Sequence, residues 1–175
     1  RSPGYRSLVA ELERDPGRRF RVHRGDSLAG WTVLHPAEAD AFALADDAAI
    51  VLRGDFPGAR VLLVSDLANA GQTALLEREP DLRADIVVTG LPTRGEPLIA
   101  DLLAAIQPAV MVVNDGEYPT SERAGRALRE RLARSPAKVI YTSDAGTTTL
   151  VLKAGRWEIR TMTGLRIVSK RASPR

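Results

Sequence analysis

The apolar positions fall into short runs, and their spacing changes along the chain. Leu8, Val9 and Leu12 form the stripe of a helix over Tyr5–Arg14, stopped by Asp15-Pro16-Gly17. Alternation then takes over. Phe20–His23 and Trp31–Leu34 read as strands, separated by a turn at Gly25-Asp26 and closed by His35-Pro36. Pro36–Ala45 is polar and alanine-rich, a loop with one helical turn. The clearest hairpin follows: Ala49–Leu52 runs up, Arg60–Val64 runs back, and Asp55–Gly58 turns between them.

Beyond Ser65-Asp66 helices and strands alternate. A helix carrying Thr73, Leu75 and Leu76 ends before Pro80, and Asp85–Val88 is a strand. Pro97 opens a helix with Leu98, Ile99, Leu102, Leu103 and Ile106, and Pro108 ends it. Val110–Val113 is a strand. Ser121-Glu122 caps a long helix whose buried face is Ala124, Ala127, Leu128 and Leu132. Val139–Tyr141 is a strand, and Thr147–Leu152 with Arg156–Thr161 form a last hairpin across Ala154-Gly155. Hairpins at both ends of a β-α core predict an α/β chain with a mixed sheet and helices on its faces. Residues 1–168 form a single domain, and 169–175 a frayed polar tail.

Composition narrows the class. The chain has 175 residues, 44% hydrophobic and 27% charged, which excludes a disordered or fibrous protein. No apolar run is long enough to span a bilayer as a helix. Cysteine is absent, so there are no disulfides, thiolate metal sites or cysteine nucleophiles. The net charge of +3 rests on arginine, with lysine only at 138, 153 and 170. Arginine suits phosphate recognition.

Candidate chemistry is sparse. Asp66, Asp115 and Asp144 follow strands, where ligands gather in α/β folds; loop acids at such places also cap helices. His23 and His35 are the only imidazoles, twelve apart, without the close spacing of a metal site. The Gly146 loop after Ser143-Asp144 precedes a strand, so it is a hairpin entry and not a phosphate cradle. The helix after Ser121 carries Arg123, Arg126 and Arg129, either a solvated face with i, i+4 partners or a phosphate-contacting stripe.

From Arg19 to Thr163 the ordered motifs resemble the C-terminal metallo-β-lactamase-like domain of the ComEC family of competence proteins. The motifs are Arg24-Gly25-Asp26 followed by Trp31–Leu34 and His35-Pro36, the acidic Ala45-Asp46-Asp47 before Ile50-Val51-Leu52-Arg53, Arg60–Asp66, and Asp81–Val88. The resemblance implies an αββα metallo-β-lactamase-like fold, of which this chain would be the C-terminal two-thirds, incomplete at its N-terminus. It implies an extracytoplasmic domain of an inner-membrane protein that passes transforming DNA across that membrane.

The departures from the family govern the functional expectation. The His-x-His-x-Asp-His segment of active members is absent. Leu91-Pro92-Thr93-Arg94 stands where the family has His-His-Gly-Ser, and Tyr118-Pro119-Thr120-Ser121 where it often has Tyr-Gly-His-Pro. Of the vestigial ligand positions Asp66, Leu91 and Thr120, only Asp66 keeps a metal-binding side chain. The expectation is therefore no metal, no cofactor and no catalytic residue: a domain that guides DNA or docks partners. Arg123, Arg126 and Arg129 are the expected phosphate contacts, on single- or double-stranded DNA. The other expected partners are the membrane channel portion of the parent protein and a second copy, met through apolar surface left uncovered. The rival is a metal-dependent phosphodiesterase acting on the incoming strand. A receiver-like or nucleotide-binding domain using Asp66 and Asp115 is a third reading, opposed by the early antiparallel strands.

Overall fold

The computed structural model describes residues 3–15, 17 and 20–169. Residues 170–175 of the polar tail lie outside them. In chain order the elements are α1 (Pro3–Arg14), β1 (Ser27–Leu28), β2 (Trp31–His35), β3 (Val51–Phe56), β4 (Ala59–Ser65), α2 (Asn69–Arg78), β5 (Ile86–Thr89), α3 (Ala100–Ile106), β6 (Val110–Val113), α4 (Arg126–Ala133), β7 (Lys138–Tyr141), α5 (Thr142–Ala145), β8 (Thr148–Lys153), β9 (Arg156–Thr161) and β10 (Arg166–Val168).

Strands β1 to β7 form one sheet in sequence order. The pairs from β1 to β4 are antiparallel and those from β4 to β7 parallel. This is the mixed α/β sheet that the two patterns of the sequence imply. β6 is buried along its whole length because both faces of the sheet are covered there, hence its unbroken run Val110-Met111-Val112-Val113.

One face packs on helices. Leu62, Val64, Val87, Met111 and Val113 meet Leu75 of α2, Leu102 and Ile106 of α3, and Leu128 and Leu132 of α4 in one apolar core. The other face carries a second sheet, in the order β10-β9-β8. Val61, Ile86, Val110, Val112 and Ile140 pack there with Trp157 and Ile159. The helices expected on the sheet's faces divide unevenly: α2, α3 and α4 share one core, whereas the opposite core is closed mainly by the second sheet, with Ala145 of the short α5. Glu158 binds β10 to β9 by accepting hydrogen bonds from Arg160 and Arg166, which hold its carboxyl at about 2.

The second sheet leaves part of this face uncovered. A register row runs Leu52, Leu63, Val88, Val112, Ile140 across β3 to β7. Val112 and Ile140 are buried, whereas Leu52, Leu63 and Val88 are half-buried and nearby Ile50 is 45% exposed. Helix α1 is amphipathic but buries none of its residues.

Four local expectations are corrected. Phe20–His23 is not a strand; it runs as coil into a turn in which the His23 N–H donates to Asp26. The first hairpin turns tightly at Pro57-Gly58, since β3 continues to Phe56. The helix expected from Pro97 starts at Ala100. Leu98 adopts φ +51° with its side chain buried, and the buried Gln72 amide binds the lead-in through Glu96 O and Ile99 N–H. The long helix after Ser121 is instead a 3-10 turn at Thr120–Glu122, then α4 from Arg126, which leaves Ala127 exposed.

Candidate functional site

The parallel strands β4 to β7 end together, and the polar residues that follow them line two adjoining clefts. At the end of β4 the register shifts between Leu63 and Ser65, and Ser65 adopts φ +55°. That kink carries Asp66 out of the ladder. Gly90, just beyond β5, lies against it: a Cβ there would sit 3.5 Å from Asp66 Cβ. The Thr89 hydroxyl donates to Ser65 O at 3.2 Å and fixes the two strand ends together.

The first cleft, about 580 Å³, has an apolar wall that includes Ile50, Leu52, Leu63 and Leu91 and a polar rim that includes Ser65, Asp66, Asn114 and Glu122. The second, about 590 Å³, lies between the sheets, with Val112, Leu150 and Ile159 below Asp115, Thr142 and Thr148. They share Val88 and Asn114, so they form one trough along the strand ends.

The donor set does not fit a catalytic metal centre. Among the described residues no group of three His, Cys, Asp or Glu could hold an ion. Asp66 accepts a hydrogen bond from the Ser65 hydroxyl at 3.0 Å. Leu91 shares the cleft and offers only carbon. Thr120 is exposed on its 3-10 turn and does not line the trough; Glu122 of the same turn does. Two carboxylates, Asp66 and Glu122, with hydroxyl and amide neighbours and no imidazole fall short of the ligand set of a two-metal hydrolytic site. Ser65, Asn114, Glu122 and Thr142 were missed from the sequence. Their positions directly after strands, or on the turn that follows one, were the available signal.

Asp115 and Asp144 have a different role. The Asp115 side chain is fully buried and accepts from Ala124 N–H at 3.1 Å, Ser143 N–H at 2.8 Å and Ser143 Oγ–H at 2.8 Å. It fastens the end of β6 to the lead-in of α4 and to α5. Arg129 completes the clasp. It donates to Asp144 at 2.5 Å, Asp115 at 3.3 Å and Ala124 O at 3.1 Å, with its guanidinium 3.9 Å above the Tyr141 ring. The Arg129 hydrogen bond is the main reason the Asp144 carboxyl lies below its ordinary range, while burial raises the Tyr141 phenol.

The other two arginines singled out from the sequence also face carboxylates. Arg126, 92% exposed, pairs with Glu130 at 2.6 Å, and Arg123 stands 3.6 Å from Asp144. To contact phosphate, Arg129 would have to leave both of its acids.

No protein-family model, curated protein or solved structure matches this chain.

Neither histidine lies in the trough. His35 ends β2, fully buried, and its Nε2–H donates to Asp47 O at 2.8 Å. Its Nδ1 has no hydrogen-bond partner and stands 3.9 Å from Asp40, which Arg78 grips with two short bonds. Burial keeps the imidazole below its ordinary value of 6.5, against the opposing pull of Asp47 and Asp40. Below pH 6.5 the unfolded chain therefore takes up a proton that the fold resists. Stability should fall as pH drops from 6.5 towards the lowered folded value. Asp40, also held low, begins to lose its contribution only near 3.8, below the range of the melts proposed next. Thermal melts between pH 7.5 and 5 should show the loss in the native chain and a flatter profile in His35→Gln. Equal slopes would remove His35 as the cause.

Proposed function

We propose that this chain is a metallo-β-lactamase-like domain without metal chemistry, belonging to a ComEC-like DNA-uptake channel protein, and that it guides the DNA strand. The observation that carries the reading is the donor set at the strand ends, where Asp66 and Glu122 stand among Leu91, Ser65 and Asn114 with no imidazole beside them. The ordered motifs from Arg24 to Val88 support the ancestry, and those residues build β1 to β5. The trough then serves as a shaped surface, not a hydrolytic centre.

The proposed partners are a DNA strand, the channel portion of the parent protein and a second copy of the chain, which would cover Ile50, Leu52 and Leu63. The proposed setting is the outer side of an inner membrane. Among the described residues no helix is long and apolar enough to cross a bilayer, so the membrane-crossing part would belong to the channel portion.

The test is incubation with labelled single-stranded and duplex DNA in the presence of manganese or zinc. DNA retained by the protein and left intact is the expected outcome. Strand cleavage that Asp66→Ala abolishes would establish the phosphodiesterase instead.

A further inference from the structure

We propose that the DNA backbone is met at the opposite end of the sheet, where β4 to β7 begin, by Arg83, Arg134, Lys138, Lys153 and Arg156. The inference rests on the DNA-contacting reading above and assigns its surface.

These five side chains are exposed, and none has a carboxylate partner among the described residues. Arg6, Arg21 and Arg94, likewise without one, lie elsewhere in the chain. Arg123, Arg126 and Arg129 are all engaged by acids. Any phosphate taken by α4 must displace a carboxylate, whereas a phosphate at the strand starts displaces only water and counterions.

The five form one neighbourhood. Asp85 N–H donates to Arg60 O, Ala109 N–H to Asp85 O and Lys138 N–H to Ala109 O, so the starts of β4, β5, β6 and β7 are stitched side by side. Arg83 shares a hollow with Arg60 and Gln107, and Gln107 shares the next with Arg134. The β8–β9 turn closes the far side: Gly155 N–H donates to Pro57 O at 3.1 Å, which sets Lys153 and Arg156 over the β3–β4 turn. From Lys138 on β7 to that turn beside β4 is three strand spacings, about 14 Å, enough for several phosphates in a row.

Of the acids at this end, Asp55 and Asp81 are paired with Arg60, while Asp85 accepts only the Arg60 backbone N–H and keeps its charge, so the five cations outnumber it. The trough end is the acidic one, with Asp66 and Glu122 on its rim and Glu117 nearby in the chain. Two features favour a nucleic acid over a lipid surface. None of the exposed large apolar side chains belongs to the segments that carry these cations, whereas interfacial membrane binding needs such anchors. No exposed aromatic stands among them either, so the contact would read the backbone and not the bases.

The test uses the full chain and a fluorescein-labelled 30-nucleotide strand, with anisotropy read at stepwise salt. The triple variant Arg83→Glu/Lys138→Glu/Arg156→Glu should bind at least about tenfold more weakly at low salt. Its slope of log affinity on log salt should shrink by about 2, as loss of three phosphate contacts on a single strand requires. Arg83→Lys/Arg156→Lys should bind as the native chain does, and Arg123→Glu/Arg126→Glu within about twofold. Circular dichroism melts of each variant verify folding. Loss of binding in the α4 variant with retention in the triple variant would overturn the surface while leaving the DNA reading intact. No binding by the native chain would overturn that reading itself. Retention on vesicles of anionic lipid but not on DNA would reassign the surface to a membrane.

Discussion

Replacing Asp115 by alanine should lower the melting temperature by about 6–12 °C, the shift that about 3 kcal/mol produces in a chain of this size. The side chain is fully buried and holds three neutral donors besides Arg129. Removing it leaves the Ala124 and Ser143 N–H groups without acceptors, at roughly 1–3 kcal/mol for each buried group left unpaired. The Ser143 hydroxyl can turn elsewhere, and Arg129, 29% exposed, keeps Asp144, so the full sum is not reached. Asp144→Ala is the control. That carboxylate is 47% exposed, and its loss should cost less than about 1 kcal/mol. Equal effects of the two substitutions would mean that Asp115 is not the clasp.

Gly58→Ala should be comparably destabilising through a different contact. An added Cβ would fall 2.1 Å from Lys153 O and 2.5 Å from Arg156 O, both backbone atoms. Neither can rotate aside, so the second sheet must withdraw and weaken the Gly155 N–H to Pro57 O bond. Overpacking of this kind costs about 3 kcal/mol. Trp157, 5% exposed beneath that sheet, should become more accessible to an aqueous quencher. Gly155→Ala separates packing from backbone strain: its φ is +71° with nothing near the added carbon, so only about 1 kcal/mol of left-handed strain is expected. A native-like melt and unchanged quenching in Gly58→Ala would show that the two sheets are not held together at this turn.

The α/β alternation was legible because burial wrote it into the chain. β6 had to be a continuous apolar run, and the two hairpins carried their own turn residues. What failed depended on distant partners. Phe20–His23 alternates but pairs with no strand among the described residues, and β10 is only three residues long, anchored by Glu158 eight positions before Arg166. The helix after Ser121 was cut short because Asp115 takes the Ala124 N–H, nine residues along the chain. The site followed the same rule. Asp66 was visible as an acid after a strand, but Asp115 became a clasp only through Arg129 and Ser143. The Arg123, Arg126, Arg129 spacing was plain, and so was an i, i+4 partner such as Glu130 for Arg126, but Asp115 and Asp144, which occupy Arg129 and Arg123, come from other elements. The unpaired cations were invisible as a group because Arg83, Lys138 and Arg156 meet only through the pairing of β4 to β7 and the seating of the β8–β9 turn on Pro57.

The most direct test of the central claim is the metal content of the purified chain, measured after equilibration with zinc or manganese. An ion content well below one per chain, unchanged by Asp66→Ala, is the result this account predicts. One or two ions per chain, lost on that substitution, would contradict it.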